Sequence, residues 1–138
     1  MSRPNGATSL PEIIMGESEY DRLLELAAAA GRRAPETAAP LLQELERATV
    51  VEMRQIPPDV VRLGSKVTYK RDGAEPQEVS LVLPAAADIS AGKVSVLTPI
   101  GTALIGLSTG QTITWAARDG QLHRLQVLAV EQPAAAEE

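Results

Sequence analysis

Apolar residues recur with a helical period in the first third of the chain. Over residues 17–31 they fall at the i, i+3, i+4 and i+7 positions of one helix face, namely Tyr20, Leu23, Leu24 and Ala27. Carboxylates in the first turn suit the positive end of the helix dipole, and Gly31 is a residue type that often follows a helix end. The pattern predicts a helix over residues 17–31.

A second stripe of the same kind follows a proline-containing stretch. It consists of Ala38, Leu41, Leu42, Leu45 and Thr49. The stripe predicts a helix that begins between Pro35 and Pro40 and ends near Thr49, with both prolines at or before the first turn, because an interior proline costs roughly 3 kcal/mol. The short connection predicts that the two helices form an antiparallel hairpin.

From Val61 onward the period changes to one that is typical of strands. Five β-rich runs lie at residues 65–69, 78–83, 94–97, 112–115 and 122–130. Asp72-Gly73 and Asp119-Gly120 lie between such runs and indicate hairpin turns.

A short helical segment interrupts the strands. Thr98 suits an N-cap and Pro99 the first helical position, and Gly106 and Gly110 follow the segment. The order βββ-α-ββ predicts an α+β fold in which one short helix packs on an antiparallel sheet.

The amino-acid composition excludes several kinds of catalytic and binding site. The 138 residues include no Cys, no Phe, one His, one Trp and two Tyr, which excludes disulfides, thiolate zinc sites and cysteine nucleophiles. The net charge of −5 argues against a phosphate-neutralising surface for nucleic acid, and few aromatics remain for base stacking. A carboxylate site for Mg²⁺ stays open at this point. We expect a protein partner rather than catalysis.

The chain shows neither a signal-peptide pattern nor a stretch of about 18 apolar residues. A cytoplasmic protein without membrane contact is therefore expected. The expected organisation is a flexible N-terminus at 1–12, a short helical hairpin at 13–55, a linker at 56–61, a sheet domain at 62–132 and a disordered tail at 133–138.

Five motifs follow one another between Val60 and Gln132. They are Gly64-Ser65-x-Val67, Asp72-Gly73, Ala87-Asp88, Gly92-Lys93-Val94-Ser95-Val96 and Thr98-Pro99-Ile100-Gly101-x-Ala103-Leu104-Ile105-Gly106. In this order they resemble the C-terminal domain of the bacterial Gre transcript-cleavage factors. The resemblance implies an FKBP-like fold without prolyl isomerase activity, and docking at the RNA polymerase secondary channel.

The first half points to a subgroup. Gre factors carry a coiled-coil hairpin several times longer than this one, whereas a short hairpin followed by Pro57-Pro58-Asp59-Val60-Val61 is similar to the Rnk family. This resemblance covers residues 13–131 and implies a non-catalytic transcription regulator that binds RNA polymerase and competes with Gre factors. The alternative is a regulator of nucleoside diphosphate kinase or nucleotide pools that acts by protein contact or indirectly.

The resemblance also assigns a candidate polymerase-binding segment, Leu97, Thr98, Pro99 and Ile100. In the Gre family an acid-Ser-Pro stretch at this place contacts a coiled coil of the largest polymerase subunits. This chain keeps the Thr-Pro and has Leu97 in place of the acid. The alternative interpretation is helix capping with Leu97 buried at a strand end, and the two interpretations are compatible.

The hairpin tip, residues 31–37, is the second candidate surface. In Gre factors two acids at the tip help to hold Mg²⁺, whereas here Glu36 is the only acid and lies near Arg32 and Arg33. A lone carboxylate beside two fixed cations is a poor Mg²⁺ ligand set, so neither a metal site nor transcript cleavage is expected. A solvated loop and a contact with polymerase acids remain the alternatives for the arginines.

Three further features have simpler interpretations. Gly101, Gly106 and Gly110 are expected to be turn and packing glycines, because no Gly-Lys-Ser/Thr phosphate motif accompanies them. His123 is expected to be an exposed sheet residue with no neighbour to orient it for catalysis. Trp115 is expected to pack on the sheet, with an interface anchor as the alternative. No cofactor is expected.

Overall fold

The computed structural model describes residues 11–72, 74–116 and 121–132, without the side chains of Trp115 and Ala116. The predicted Asp119-Gly120 turn, the tail at 133–138 and most of the N-terminal segment 1–12 lie outside the described residues. So does the predicted packing of the Trp115 side chain.

The described residues form three α-helices and seven strands in a mixed α+β arrangement. In chain order they are β1 (Ile14–Gly16), α1 (Glu17–Arg33), α2 (Pro35–Arg47), β2 (Thr49–Val51), β3 (Lys66–Arg71), β4 (Gln77–Val82), β5 (Lys93–Ser95), α3 (Pro99–Leu104), β6 (Thr112–Ala116) and β7 (Leu122–Glu131). The predicted order of strands around one short helix is confirmed for β3 to β7.

The two long helices meet at one residue. Gly31 does not end α1 as predicted, because the helix continues to Arg33. Ala34 then leaves the helical region with φ −143° and ψ 80°, because the following Pro35 disfavours the helical conformation in the residue before it. The predicted tip loop at 31–37 is therefore wrong, because all its residues except Ala34 belong to the ends of α1 and α2.

Pro40 lies inside α2, so the prediction that both prolines precede or begin the helix is correct only for Pro35. Pro40 is exposed and removes one N–H from the helical ladder. Buried Ala38, Leu41 and Leu45 lie on the opposite, core-facing side and hold the helix in place.

A short parallel pair of strands closes the base of the two helices. Ile14 lies opposite Thr49 and Gly16 opposite Val51, which brings the start of α1 next to the end of α2. We use the name helix pair for α1 and α2 together. The sequence pattern missed β1 and β2 because three residues are too few to show an alternation.

The remaining strands form one sheet in the order β5-β4-β3-β7-β6. The prediction of an antiparallel sheet is wrong for its edge, where β5 runs parallel to β4 with Lys93 opposite Ser80. Pro84 begins a 3₁₀ turn directly after β4, and Gly92, at φ +75°, ends another before β5. These turns carry the chain back to the middle of β4, at Ser80, so that β5 runs in the same direction beside the second half of that strand.

The helix pair and the sheet share one hydrophobic core. Its fully buried members come from both parts and include Ile13, Leu23, Leu41, Val67, Leu81, Leu104 and Leu125. Leu24 and Leu42, which the helical stripes also included, are 37% and 38% exposed. In the described part of the chain no helix combines the length and apolarity needed to cross a membrane.

Gly106 packs against the segment that leads into β1. It has φ +83°, and a Cβ on it would lie 2.8 Å from Cβ of Ile13. Its carbonyl accepts a hydrogen bond from the N–H of Ile14 at 3.1 Å, and its own N–H donates to the carbonyl of Val61 at 3.0 Å. The prediction of a turn and packing glycine is confirmed here.

Candidate functional site

Residues 97–100 form a tight corner between β5 and α3. Thr98 is the N-cap of α3, and its Oγ1 accepts a hydrogen bond from the N–H of Gly101 at 3.0 Å. Pro99 occupies the first turn, where its missing N–H costs nothing. The capping part of that interpretation is confirmed, whereas its other part is wrong, because Leu97 is neither fully buried nor at the end of a strand.

The hydroxyl and the N–H of Thr98 form hydrogen bonds within the corner. Its Oγ1 donates to the carbonyl of Ser95 at 2.7 Å, and its N–H donates to the same carbonyl at 3.0 Å. Ser95 Oγ in turn accepts the N–H of Leu97 at 3.0 Å. Thr98 therefore serves the shape of the corner rather than offering free donors to a partner.

Gly101 allows the corner to close. A Cβ on Gly101 would collide with the carbonyl oxygen of Ser95 and lie 2.9 Å from Cα of Val96. Thr102 adds a second tie, because its Oγ1 donates to the carbonyl of Val96 at 2.7 Å. The corner is thus rigid, which lowers the entropy cost of binding through it.

The accessible surface of this corner is mainly apolar. Leu97, Pro99 and Ile100 are each half-buried, and Leu97 and Ile100 also pack against the core. Leu97 lies two residues beyond the end of β5 and is not fully buried. A partner would meet aliphatic groups on a preformed backbone.

The tip residues Arg32, Arg33 and Glu36 are all exposed, and the arginines occupy the last turn of α1. That position is favourable because cations complement the negative end of a helix dipole. No hydrogen bond or ion pair of the described residues joins these side chains to residues 97–100. The helix tip and the corner at residues 97–100 are therefore two candidate surfaces that are not linked by side-chain hydrogen bonds or ion pairs of the described residues.

His123 has a neighbour that orients it, so the expectation of an unaccompanied sheet residue is wrong. Its Nδ1 lies 2.6 Å from Oδ2 of Asp72, and the N–H of Arg124 donates to Oδ1 of Asp72 at 2.7 Å. These hydrogen bonds, first that from the Arg124 N–H and then that from His123, lower the pKa of Asp72 from 3.8. Asp72 has φ 50°, in keeping with the predicted turn.

Glu19 is a buried carboxylate that the sequence pattern did not single out. It lies in the first turn of α1 with 8% of its surface exposed, and its Oε2 accepts the N–H of Leu63 at 2.8 Å. Burial raises its pKa from 4.5, although the Leu63 hydrogen bond and the charges of Arg62 and Arg22 act in the opposite direction. Its contact with a loop 44 residues away could not be found from local spacing.

In the ranges that the structure describes, no three His, Asp or Glu side chains lie together in an arrangement that could hold a metal ion. The geometry instead provides a rigid apolar corner, an exposed basic helix tip and a buried carboxylate that joins helix to sheet.

Comparison with known proteins connects both parts of the chain to described families. Residues 56–132 match the model for the C-terminal part of the transcription elongation factors GreA/GreB, and residues 11–51 match the model for the Rnk N-terminus.

Similar proteins agree with these matches. The regulator of nucleoside diphosphate kinase of Escherichia coli K12 is 38% identical over 134 residues, which cover 93% of this chain and 96% of that protein. GreA of Clostridium botulinum Eklund 17B is 36% identical over 93 residues, 67% of this chain and 58% of that protein. A solved GreA/GreB structure from Nitrosomonas europaea has 34% identity and a TM-score of 0.69, over 87% of this chain and 99% of that one.

The match to the GreA/GreB C-terminal model and the likeness to the solved GreA/GreB structure place the molecule in the class of Gre-related factors, with a helix pair ahead of a GreA/GreB C-terminal domain. Within that class the chain belongs to the Rnk family. The relationship supports a regulatory role of the transcription-factor kind or in the regulation of nucleoside diphosphate kinase.

Proposed function

We propose that this protein is a non-catalytic transcription regulator that binds RNA polymerase at the secondary channel and competes there with Gre factors. The observation that carries the proposal is the rigid corner at residues 97–100, which lies within a region that matches the GreA/GreB C-terminal domain. We also propose that this domain is FKBP-like and that the helix pair is a short coiled-coil hairpin.

The contact at the corner is apolar. Because both hydrogen-bonding functions of the Thr98 hydroxyl are used internally, Leu97, Pro99 and Ile100 supply the surface that meets the largest polymerase subunits. Leu97 replaces the acid of the Gre pattern, so this contact depends less on charge than a Gre contact does.

The tip of the helix pair contacts the partner without holding a metal ion. Arg32 and Arg33 are exposed near a single acid, Glu36, and this set favours contact with polymerase carboxylates over binding of Mg²⁺. The protein thus occupies the site of a cleavage factor without stimulating cleavage.

Binding of the full chain to core RNA polymerase, in competition with GreA, tests the proposal. Pro99→Glu keeps a residue suited to the first turn of α3 but places a charge on the apolar surface, and we expect binding to weaken by at least about tenfold. Pro84→Glu is the matched control, because Pro84 is exposed and also begins a helical turn. Absence of polymerase binding by the wild-type chain, or equal loss in both variants, would contradict the proposal.

A second candidate function is regulation of nucleoside diphosphate kinase by protein contact or indirectly, which the name of the Escherichia coli relative favours. Purified protein added to that kinase tests the direct form. A change in the kinase rate that saturates with added protein is the expected result of contact, and an unchanged rate excludes it.

A further inference from the structure

A polar cleft of about 310 Å³ opens on the solvent side of the sheet, away from the shared core. Its lining residues are Lys70, Asp72, Thr112, Arg124 and Gln126. The volume is at the lower end of the range of small-molecule sites, about 300 to 1,000 Å³. The size suits a small ligand rather than a long peptide.

Strand register places four donor side chains together in this cleft. Lys70 of β3 lies opposite Gln126 of β7, and Gln126 lies opposite Thr112 of β6. Arg124 is two residues before Gln126 on β7, and is therefore a diagonal neighbour of Lys70 on the same face. An ammonium, a guanidinium, an amide and a hydroxyl thus line one cleft.

The cleft contains two cations and one carboxylate, that of Asp72. Within the described ranges, neither the Lys70 ammonium nor the Arg124 guanidinium forms an ion pair or a side-chain hydrogen bond. The carboxylate of Asp72 is engaged elsewhere, since Oδ1 accepts the Arg124 N–H and Oδ2 faces His123 Nδ1. A local excess of positive charge remains in a chain whose net charge is −5.

We propose that this cleft binds a small phosphate-type oxyanion, with pyrophosphate the better match to its size. The guanidinium fork of Arg124 suits two oxygens of a tetrahedral group, while Lys70 acts as a point charge. Thr112 and Gln126 supply neutral donors to the remaining oxygens. Asp72 repels an anion near the turn and so directs it to the side of Lys70 and Thr112. The site is distinct from residues 97–100, and the inference is independent of polymerase binding.

A titration of the ¹⁵N-labelled full chain with inorganic phosphate and pyrophosphate, at constant ionic strength, tests the proposal by NMR. We expect saturable shifts of amides around Lys70, Thr112 and Arg124, with tighter binding of pyrophosphate. Lys70→Gln and Arg124→Gln should each weaken binding about tenfold. Arg124→Lys, which keeps the charge and removes the fork, should weaken binding by less, and it serves as a second variant should either Gln variant fold poorly.

Lys66→Gln is the matched control, since it makes the same charge change on the same strand and face but lies opposite Glu131. Binding by Lys66→Gln should equal that of the wild type. Equal weakening by Lys66→Gln would indicate nonspecific charge attraction and overturn the proposal. So would an acidic peptide that saturates these amides where pyrophosphate does not, because the site would then belong to a protein carboxylate.

Discussion

The Glu19 carboxylate accepts a hydrogen bond from the backbone N–H of Leu63 at 2.8 Å, and this bond joins the first turn of α1 to the segment that leads into the sheet. Its other oxygen, Oε1, is buried and lacks a hydrogen-bond partner among the described residues. A buried, half-satisfied charge is costly, so the junction between helix pair and sheet depends on the state of this carboxyl group.

The raised pKa of Glu19 predicts a pH dependence of stability. Between pH 4.5 and the folded pKa, Glu19 is ionised in the unfolded chain but still protonated in the folded chain. Because the folded state then holds more protons, the free energy of unfolding falls as pH rises through the folded pKa. Glu19→Gln keeps an acceptor for the Leu63 N–H without the charge. We expect its stability relative to the wild type to rise between pH 4 and pH 7, measured by urea denaturation.

Glu19→Ala is the companion variant. It leaves the Leu63 N–H without its acceptor, and we expect a loss of about 1–3 kcal/mol in unfolding free energy at low pH, which becomes smaller as pH rises through the folded pKa of Glu19. Parallel pH profiles for wild type and Glu19→Gln would show that burial of this carboxyl does not govern the effect.

Replacement by alanine should change the unfolding free energy in opposite directions at Gly101 and at Gly31. A Cβ at Gly101 would collide with the Ser95 carbonyl, whereas a Cβ at Gly31 would meet Cβ of Ala38 at an ordinary 3.7 Å. Gly101→Ala should therefore lower the unfolding free energy by about 1–3 kcal/mol. Gly31→Ala should raise it by about 0.5–1 kcal/mol, because glycine disfavours a helix interior. Thermal unfolding of both variants measures the difference.

How far the sequence predicts this structure depends on the range of the interactions. The Thr98 cap and the order of strands around α3 follow from local residue types, and both are confirmed. The predicted end of α1 at Gly31 is wrong, because the helix continues to Arg33 and ends only before Ala34, the residue that precedes Pro35.

Non-local contacts were beyond the sequence pattern. The pairing of Ile14 with Thr49, the parallel β5 and the bond from Leu63 to Glu19 join residues far apart in the chain or depend on a turn path. The same holds for the candidate sites: the 97–100 corner is a local motif, whereas Asp72 and His123 meet only through the pairing of β3 with β7.

Asp72 predicts a second pH effect, opposite in direction to that of Glu19. Its lowered pKa means that the stability it contributes is present above 3.8 and is lost as pH falls through the folded pKa. Asp72→Asn tolerates the left-handed backbone and still accepts the Arg124 N–H, so it should retain the turn but lack this acid-dependent loss. Carboxyl ¹³C NMR of the wild type should give a pKa below 3.8, and a value at or above 3.8 would contradict the assignment.

The Thr98 hydroxyl predicts a separation between stability and binding at the corner. Thr98→Ala removes the acceptor for the Gly101 N–H and the donor to Ser95, and we expect a loss of about 1 kcal/mol in unfolding free energy. Thr98→Ser keeps both bonds and should restore stability and, on the proposed function, polymerase affinity. The hydroxyl acts by holding Leu97 and Pro99 in place, so affinity measured by competition with GreA should follow stability across the two variants. If Thr98→Ser kept stability but lost affinity, the threonine methyl group would itself contact the partner, and the corner would bind through Thr98 rather than through its neighbours.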